Sequence, residues 1–143
     1  MNKKSPLIFI SALSLLGILD TGYLTYEHFQ NATPACSLLN GCELVLTSTY
    51  SVIMGIPLSL LGLVYYLILI GLSLYGLYRN SGLAYKLIAL VSGAGFLASL
   101  YLVYLQKFVI ESWCQYCLFS ATITTIIFII STIGCWIYKT HEN

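Results

Sequence analysis

The sequence predicts an all-α integral membrane protein: a four-helix bundle with one long outer loop between helices 1 and 2. Three observations carry this expectation. The first is a set of four apolar stretches, each near the roughly 20 residues that a helix needs to cross a bilayer. The second is composition, since 59% of the 143 residues are hydrophobic and only 8% are charged; globular domains average about 25% charged residues. The third is that these stretches lack the alternation of barrel strands, and a bilayer admits only helices or closed barrels. A formal charge of +1 leaves no basic surface for a nucleic-acid backbone. The expected surroundings are a lipid bilayer, with no nucleic acid.

The first span covers about residues 7–26. Lys3 and Lys4 before it resemble the charged start of a signal peptide, but no A-x-A cleavage site follows Leu19, and the apolar pattern continues. It is kept as a span. Residues 27–56 are mixed and form the outer loop. The second span covers about 57–78 and ends at the polar turn Arg79-Asn80-Ser81-Gly82. The third covers about 85–108, where Gly93, Ala94, Gly95 and Ala98 suggest close helix packing rather than a ligand site. A short turn over Lys107–Ser112 leads to the fourth span, about 113–138. Together, residues 1–143 make a single membrane domain.

Orientation follows from positive charge, which collects on the cytoplasmic side. With an even number of spans, Lys3, Lys4, Arg79, Lys86 and Lys139 share one side, and Lys107 stands alone on the other. Both termini are therefore expected in the cytoplasm, in a multi-pass protein of the cell (inner) membrane. The long loop then faces outward.

That topology sorts the five cysteines. Cys36 and Cys42 lie in the outer loop, and Cys114 and Cys117 open the last span at the same face, where disulfides persist. Cys135 lies at the cytoplasmic end and reads as a small buried hydrophobe. Cys114-Gln115-Tyr116-Cys117 puts two thiols on one face of a helix start, where the macrodipole favours a thiolate. A zinc site is disfavoured, because the 36/42 spacing is loose and neither pair has a histidine neighbour; no metal is expected. Two inert structural disulfides stay open as a reading. Two pairs on one face fit better with electron transfer from a water-soluble thiol to a lipid-soluble acceptor.

These residues, in this order, resemble the vitamin K epoxide reductase family in its short bacterial or archaeal form. The resemblance rests on Gly22-Tyr23-Leu24-Thr25-Tyr26 and the Cys36/Cys42 pair. It continues through Val45, Ser48, Gly55-Ile56-Pro57 and Gly62 to Cys114-Gln115-Tyr116-Cys117. It implies a membrane thiol:quinone oxidoreductase with a quinone (menaquinone, ubiquinone or a relative) as cofactor near the outer face. It also implies that Cys117 faces the quinone, that Cys114 exchanges with Cys42, and that Cys36 meets the thiol partner. Ser48 matches a family position beside the quinone. Bacterial relatives often carry a fused thioredoxin-like domain; with none in these residues, a separate thioredoxin-like protein on the outer side is expected. No Tyr follows in Leu118-Phe119-Ser120-Ala121, unlike the animal enzymes, so quinone reduction is expected ahead of epoxide reduction. The four-span proteins of the DsbB type keep their C-x-x-C in the first outer loop, which sets them apart. The alternative from another class is a disulfide-stapled tetraspan adaptor without catalysis.

Two ionisable residues remain. Asp20, within span one, is either a functional carboxyl or one bonded to nearby hydroxyls. His28 is either a proton shuttle or an exposed interfacial histidine, the second being favoured.

Overall fold

The computed structural model describes residues 2–142. Four long helices cross its length: α1 (Ser5–Phe29), α3 (Leu58–Arg79), α4 (Gly82–Phe108) and α5 (Gln115–Glu142). All four are long and apolar enough to span a membrane. Three of them overrun the apolar stretches by several residues. Apolarity marks where lipid begins, whereas a helix stops only where its backbone is forced to. For α1 that point is Asn31, in the left-handed region at φ 53°, beyond the polar Glu27 and His28. For α3 it is Asn80, also left-handed at φ 51°, whose N–H closes the helix on the Gly76 carbonyl. Ser81 then caps α4 by accepting the Leu83 N–H. The expected polar turn is therefore a C-cap and an N-cap back to back.

The outer loop holds more structure than its mixed sequence suggests. A short helix α2 (Cys42–Leu46) is followed by a 3-10 turn (Thr49–Ser51) and a two-stranded hairpin, β1 (Val52–Ile53) against β2 (Ile56–Pro57). Its turn residues Met54 and Gly55 both have positive φ, the backbone that a two-residue hairpin requires. Elements this short are stabilised by what they pack on, so local sequence carries little sign of them.

The helices form a ring, with α1 packed on α3 and α5, and α4 packed on α3 and α5. In the half nearer the termini the ring is solid. Leu7, Ile10, Leu69, Tyr85, Ile88 and Ile127 fill it, with Tyr66 and Ile123 above. Lipid tails are as apolar as leucine, so close approach and hydrogen bonding hold membrane helices together. Buried serines do this here: Ser92 and Ser131 bond at 3.1 Å between α4 and α5, and Ser73 donates to the Leu7 carbonyl at 2.6 Å. Thr21 and Thr25 turn their hydroxyls back onto the Gly17 and Thr21 carbonyls, which hides them from lipid. Gly93 meets Phe128 as close packing requires.

Gly17 is the seat for Tyr66. A Cβ there would run into the Tyr66 ring, and the ring is fixed, because it is 1% exposed. Its hydroxyl also lies 2.8 Å from Ser120 Oγ and 3.0 Å from Thr124 Oγ1. Gly17→Val should displace Tyr66 and lower stability by about 1–3 kcal/mol, as overpacking does. A fall in the detergent-solubilised melting temperature checks it.

Candidate redox site

In the half nearer the outer loop the ring is hollow. A cavity of about 710 Å³ opens between the last turns of α1, the first turns of α3 and α5, and the second half of α4, roofed by the loop. Tyr66 and Thr124 form its floor. Cys117 and Ser48 line it, as do Asp20, Tyr65 and His28. Gly95 and Ala98 line it too, which corrects the expectation that this small-residue stretch serves packing alone. Removing side-chain bulk opens the cavity on that side, and the Tyr65 hydroxyl lies directly over Gly95.

The cysteines gather at the cavity's edge. Cys36 and Cys42 are joined as a disulfide with their Cα atoms 6.1 Å apart, while Cys114 and Cys117 are free thiols. Cys42 and Cys114 are fully buried and form one cluster with Val45, against which Cys36, Ile110, Tyr116 and Cys117 pack. All four residues expected from the sequence therefore meet. Cys36 is part-exposed and Cys117 faces the cavity. Cys135 lies at the far end among core residues. Among the described residues, no three His, Cys, Asp or Glu side chains converge as a metal site.

Cys114 stands one residue before α5 rather than within it, because the chain between α4 and α5 wraps around Gln106. This side chain is 2% exposed. The main-chain carbonyl of Gln106 accepts the Ser112 N–H at 3.0 Å, and its side-chain Oε1 accepts the Cys114 N–H at 3.0 Å. Glu111 takes a left-handed conformation to complete the turn. Cys114 thus occupies the N-cap of α5, and the Cys117 N–H points at its sulfur, 3.4 Å away. The hydrogen bond with the Cys117 thiol holds Cys114 below the ordinary thiol range. Backbone N–H groups of Cys117 and Tyr116 assist, and burial opposes them. The thiolate that the start of α5 favours is therefore that of Cys114.

The apposition of the two pairs depends on Gly41. A Cβ on Gly41 would lie 2.7 Å from both the nitrogen and the carbonyl oxygen of Trp113. Backbone therefore touches backbone immediately before Cys42 and immediately before Cys114. Read from sequence, Asn40-Gly41 signals only a turn. Gln106 left a fainter sign, an uncharged amide at the end of an apolar span.

The cavity suits a flat apolar ring that carries hydrogen-bond acceptors. Three buried side-chain atoms lack a partner among the described residues, and two of them, Asp20 Oδ2 and Tyr65 Oη, are on residues that line the cavity. His28 is the only described lining residue able to carry positive charge. Ser48 lines the cavity, but its hydroxyl donates to the Val45 carbonyl at 2.7 Å, so it presents lone pairs rather than a proton. A ring carbonyl needs donors, and Tyr65, with a protonated Asp20, would supply them.

The chain is thus a multi-pass membrane protein built around two juxtaposed cysteine pairs. Residues 8–132 match the vitamin K epoxide reductase family, and the chain belongs to that family. It is also similar to the thiol-disulfide oxidoreductase LTO1 of Arabidopsis thaliana, at 30% identity over 123 residues. That match covers 80% of this chain and 32% of the relative, so the chain spans about a third of the relative's length.

A lowered pKa means that the Cys114 thiolate persists as pH falls below the ordinary thiol range, about 8.5. In a Cys36→Ala/Cys42→Ala variant, closure of the Cys114–Cys117 disulfide by diamide should stay fast below that pH. It should slow only as Cys114 itself takes up a proton. Quenched-flow alkylation at a series of pH values measures this.

Proposed function

We propose that this protein is a membrane thiol:quinone oxidoreductase that reoxidises a separate thioredoxin-like partner on the outer face and so drives disulfide-bond formation. The observation that carries this reading is the placement of two cysteine pairs in one buried cluster, at the edge of an apolar cavity with unpaired polar atoms. The family and the thiol-disulfide oxidoreductase relative support it.

The relay runs from water to lipid. A partner thiolate attacks Cys36, the part-exposed sulfur, and expels Cys42 as a thiolate. The second partner thiol closes its own disulfide and releases Cys36. Cys42 attacks Cys114, and the Cys114–Cys117 bond breaks with its electron pair on Cys117. Cys36 then re-forms its bond to Cys42 and frees Cys114. The loop disulfide is restored, and the C-x-x-C pair is left reduced. A quinone bound in the cavity would supply a sink for two electrons and two protons. Cys117 presents the pair's electrons to that cavity, and Cys114 closes the disulfide behind it. Asp20 and Tyr65 offer the proton and hydrogen bonds that a ring oxygen needs. Two thiols become one disulfide, and their two electrons and two protons leave together, so the balance closes.

Supplying a reduced thioredoxin-like protein and following quinone absorbance tests the proposal. An adaptor stapled by inert disulfides would turn over no quinone. Cys117→Ala should abolish quinone reduction, and Cys36→Ala should abolish reduction driven by the protein partner. Asp20→Asn keeps a donor but no mobile proton. It should slow quinone reduction by about 10²-fold or more, the usual range for a lost acid-base group. It should leave quenching of tyrosine fluorescence by quinone nearly unchanged. Tyr65→Phe should weaken that quenching.

Sidedness follows from charge. Arg79, Lys86 and Lys139 surround one groove at the end of the bundle remote from the cysteine pairs, and Lys3 sits over the Tyr138 ring beside them. We place that end in the cytoplasm, with both termini, in the cell (inner) membrane. After reduction, an impermeant maleimide added to intact cells should label Cys36 or Cys42 and spare Cys135. Labelling of Cys135 with protection of the loop pair would overturn the orientation.

A further inference from the structure

Between Thr33 and Gly41 the chain has no helix or strand, yet this is the stretch that carries Cys36. Among the described residues, two hydrogen bonds tie it to the helices. The Tyr116 hydroxyl donates to the Ala35 carbonyl at 2.9 Å, and the Leu38 N–H donates to Gln115 Oε1 at 2.9 Å. Ala35 and Leu38 bracket Cys36. Gln115 and Tyr116 are the two residues between Cys114 and Cys117. The Tyr116 ring is itself braced on Tyr23 of α1, with centroids 5.8 Å apart.

We propose that Gln115 and Tyr116 are positioning residues that clamp the loop disulfide onto the C-x-x-C pair and thereby set the rate of thiol transfer between Cys42 and Cys114. The inference rests on the relay reading above. In the step concerned, the Cys42 thiolate attacks Cys114 Sγ. A Cys42–Cys114 bond forms, the Cys114–Cys117 bond breaks, and the electron pair goes to Cys117. No outside oxidant or reductant enters.

The need for a clamp is entropic. Closure of the Cys36–Cys42 ring fixes those two sulfurs relative to each other, and attack by the partner opens that ring. An irregular segment released in this way would carry Cys36 away while it is bonded to the partner. The clamp survives this event because it grips backbone atoms, which the exchange of side-chain bonds leaves untouched. Gly41, pressed on Trp113, pins the Cys42 end of the ring, and Gln115 and Tyr116 pin the Cys36 end. Holding reacting groups together raises their effective concentration, which is where an intramolecular step gains its rate. Because both grips fall within the C-x-x-C itself, the receiving disulfide and the anchor of the donating loop move as one body.

The test uses the full-length protein in nanodiscs with Cys36→Ser and Cys117→Ser, so that only Cys42 and Cys114 remain at the site. Equilibration with glutathione buffers, followed by alkylation and mass analysis, gives the effective molarity of the Cys42–Cys114 pair. Against this background, Gln115→Leu and Tyr116→Phe should each lower it by about 2- to 10-fold, the range for one net hydrogen bond. Gln115→Glu retains an acceptor for the Leu38 N–H and should restore most of the loss. Amide exchange at Leu38 should quicken in Gln115→Leu and not in Gln115→Glu. Tyr116→Phe keeps the ring on Tyr23, so its folding is the least disturbed. An unchanged effective molarity in the Gln115→Leu/Tyr116→Phe double variant overturns the clamp and leaves the relay standing. An equal loss in Gln115→Glu and Gln115→Leu likewise overturns the clamp. Failure of the parent to form a Cys42–Cys114 bond overturns the relay, and the clamp with it.

Discussion

A buried amide at the end of α4 is what the cysteine site depends on. Gln106 is buried, where an unpaired carbonyl or amide costs several kcal/mol. It meets the demand by accepting two N–H groups from the chain that follows, one through its main chain and one through its side chain. The connection from α4 to α5 is bent back by those bonds, so that Cys114 arrives at the helix start with its own N–H already satisfied. Its sulfur is then left to cap the first turn, and the Trp113 backbone is left bare for Gly41. A hydrocarbon side chain at 106 would leave the Cys114 N–H without its partner at the point where the two cysteine pairs meet.

The bundle divides its labour along its length. Near the termini, serines and glycines let the helices approach, and Leu7, Ile10, Ile88 and Ile127 close the gaps. Near the outer loop, small residues on α4 serve the opposite end: Gly95 and Ala98 give up volume to the cavity. Tyr66 joins the two regimes. Seated over Gly17 and bonded to Ser120 and Thr124, it is a rigid floor, which keeps the hollow half from collapsing into the solid one. Small residues in a membrane helix thus permit close approach in one place and empty space in another. The difference lies in what the neighbouring helix presents.

That ambiguity explains how much of the molecule was legible in the sequence. Span number, order and the polar turn at Arg79–Gly82 follow from hydropathy, because the bilayer imposes one length and one backbone solution on every span. The gathering of Cys36, Cys42, Cys114 and Cys117 at one end of the bundle follows from spacing and topology. The helix ends did not follow, because lipid limits and backbone limits are different boundaries. The roof over the cavity did not follow either, since α2 and the hairpin are too short to carry a periodicity. Tyr116 and Gln115 bond to Ala35 and Leu38, about 80 residues away, a pairing that no local pattern announces. Gly41 was visible but read as a turn residue, although its φ of −101° is open to any residue. Its glycine answers a steric need across the fold.

The same geometry resolves a tension in the site's chemistry. A thiol relay needs its sulfurs to be mobile enough to change partners, yet sulfurs near a lipid cavity must be shielded from water that would carry off reactive thiolates and their protons. Here the two requirements fall on different atoms. The backbone on both sides of each exchange is held: Gly41 on Trp113, Ala35 and Leu38 on the C-x-x-C, and Cys114 on Gln106. Cys42 and Cys114 are both fully buried in one cluster, brought together by main-chain contact between Gly41 and Trp113. Burial would ordinarily raise the cost of a thiolate at Cys114, and the hydrogen bond with the Cys117 thiol offsets it, assisted by the N–H groups of Cys117 and Tyr116. The one helix that places Cys117 against the cavity also provides, one turn earlier, the groups that stabilise charge on Cys114.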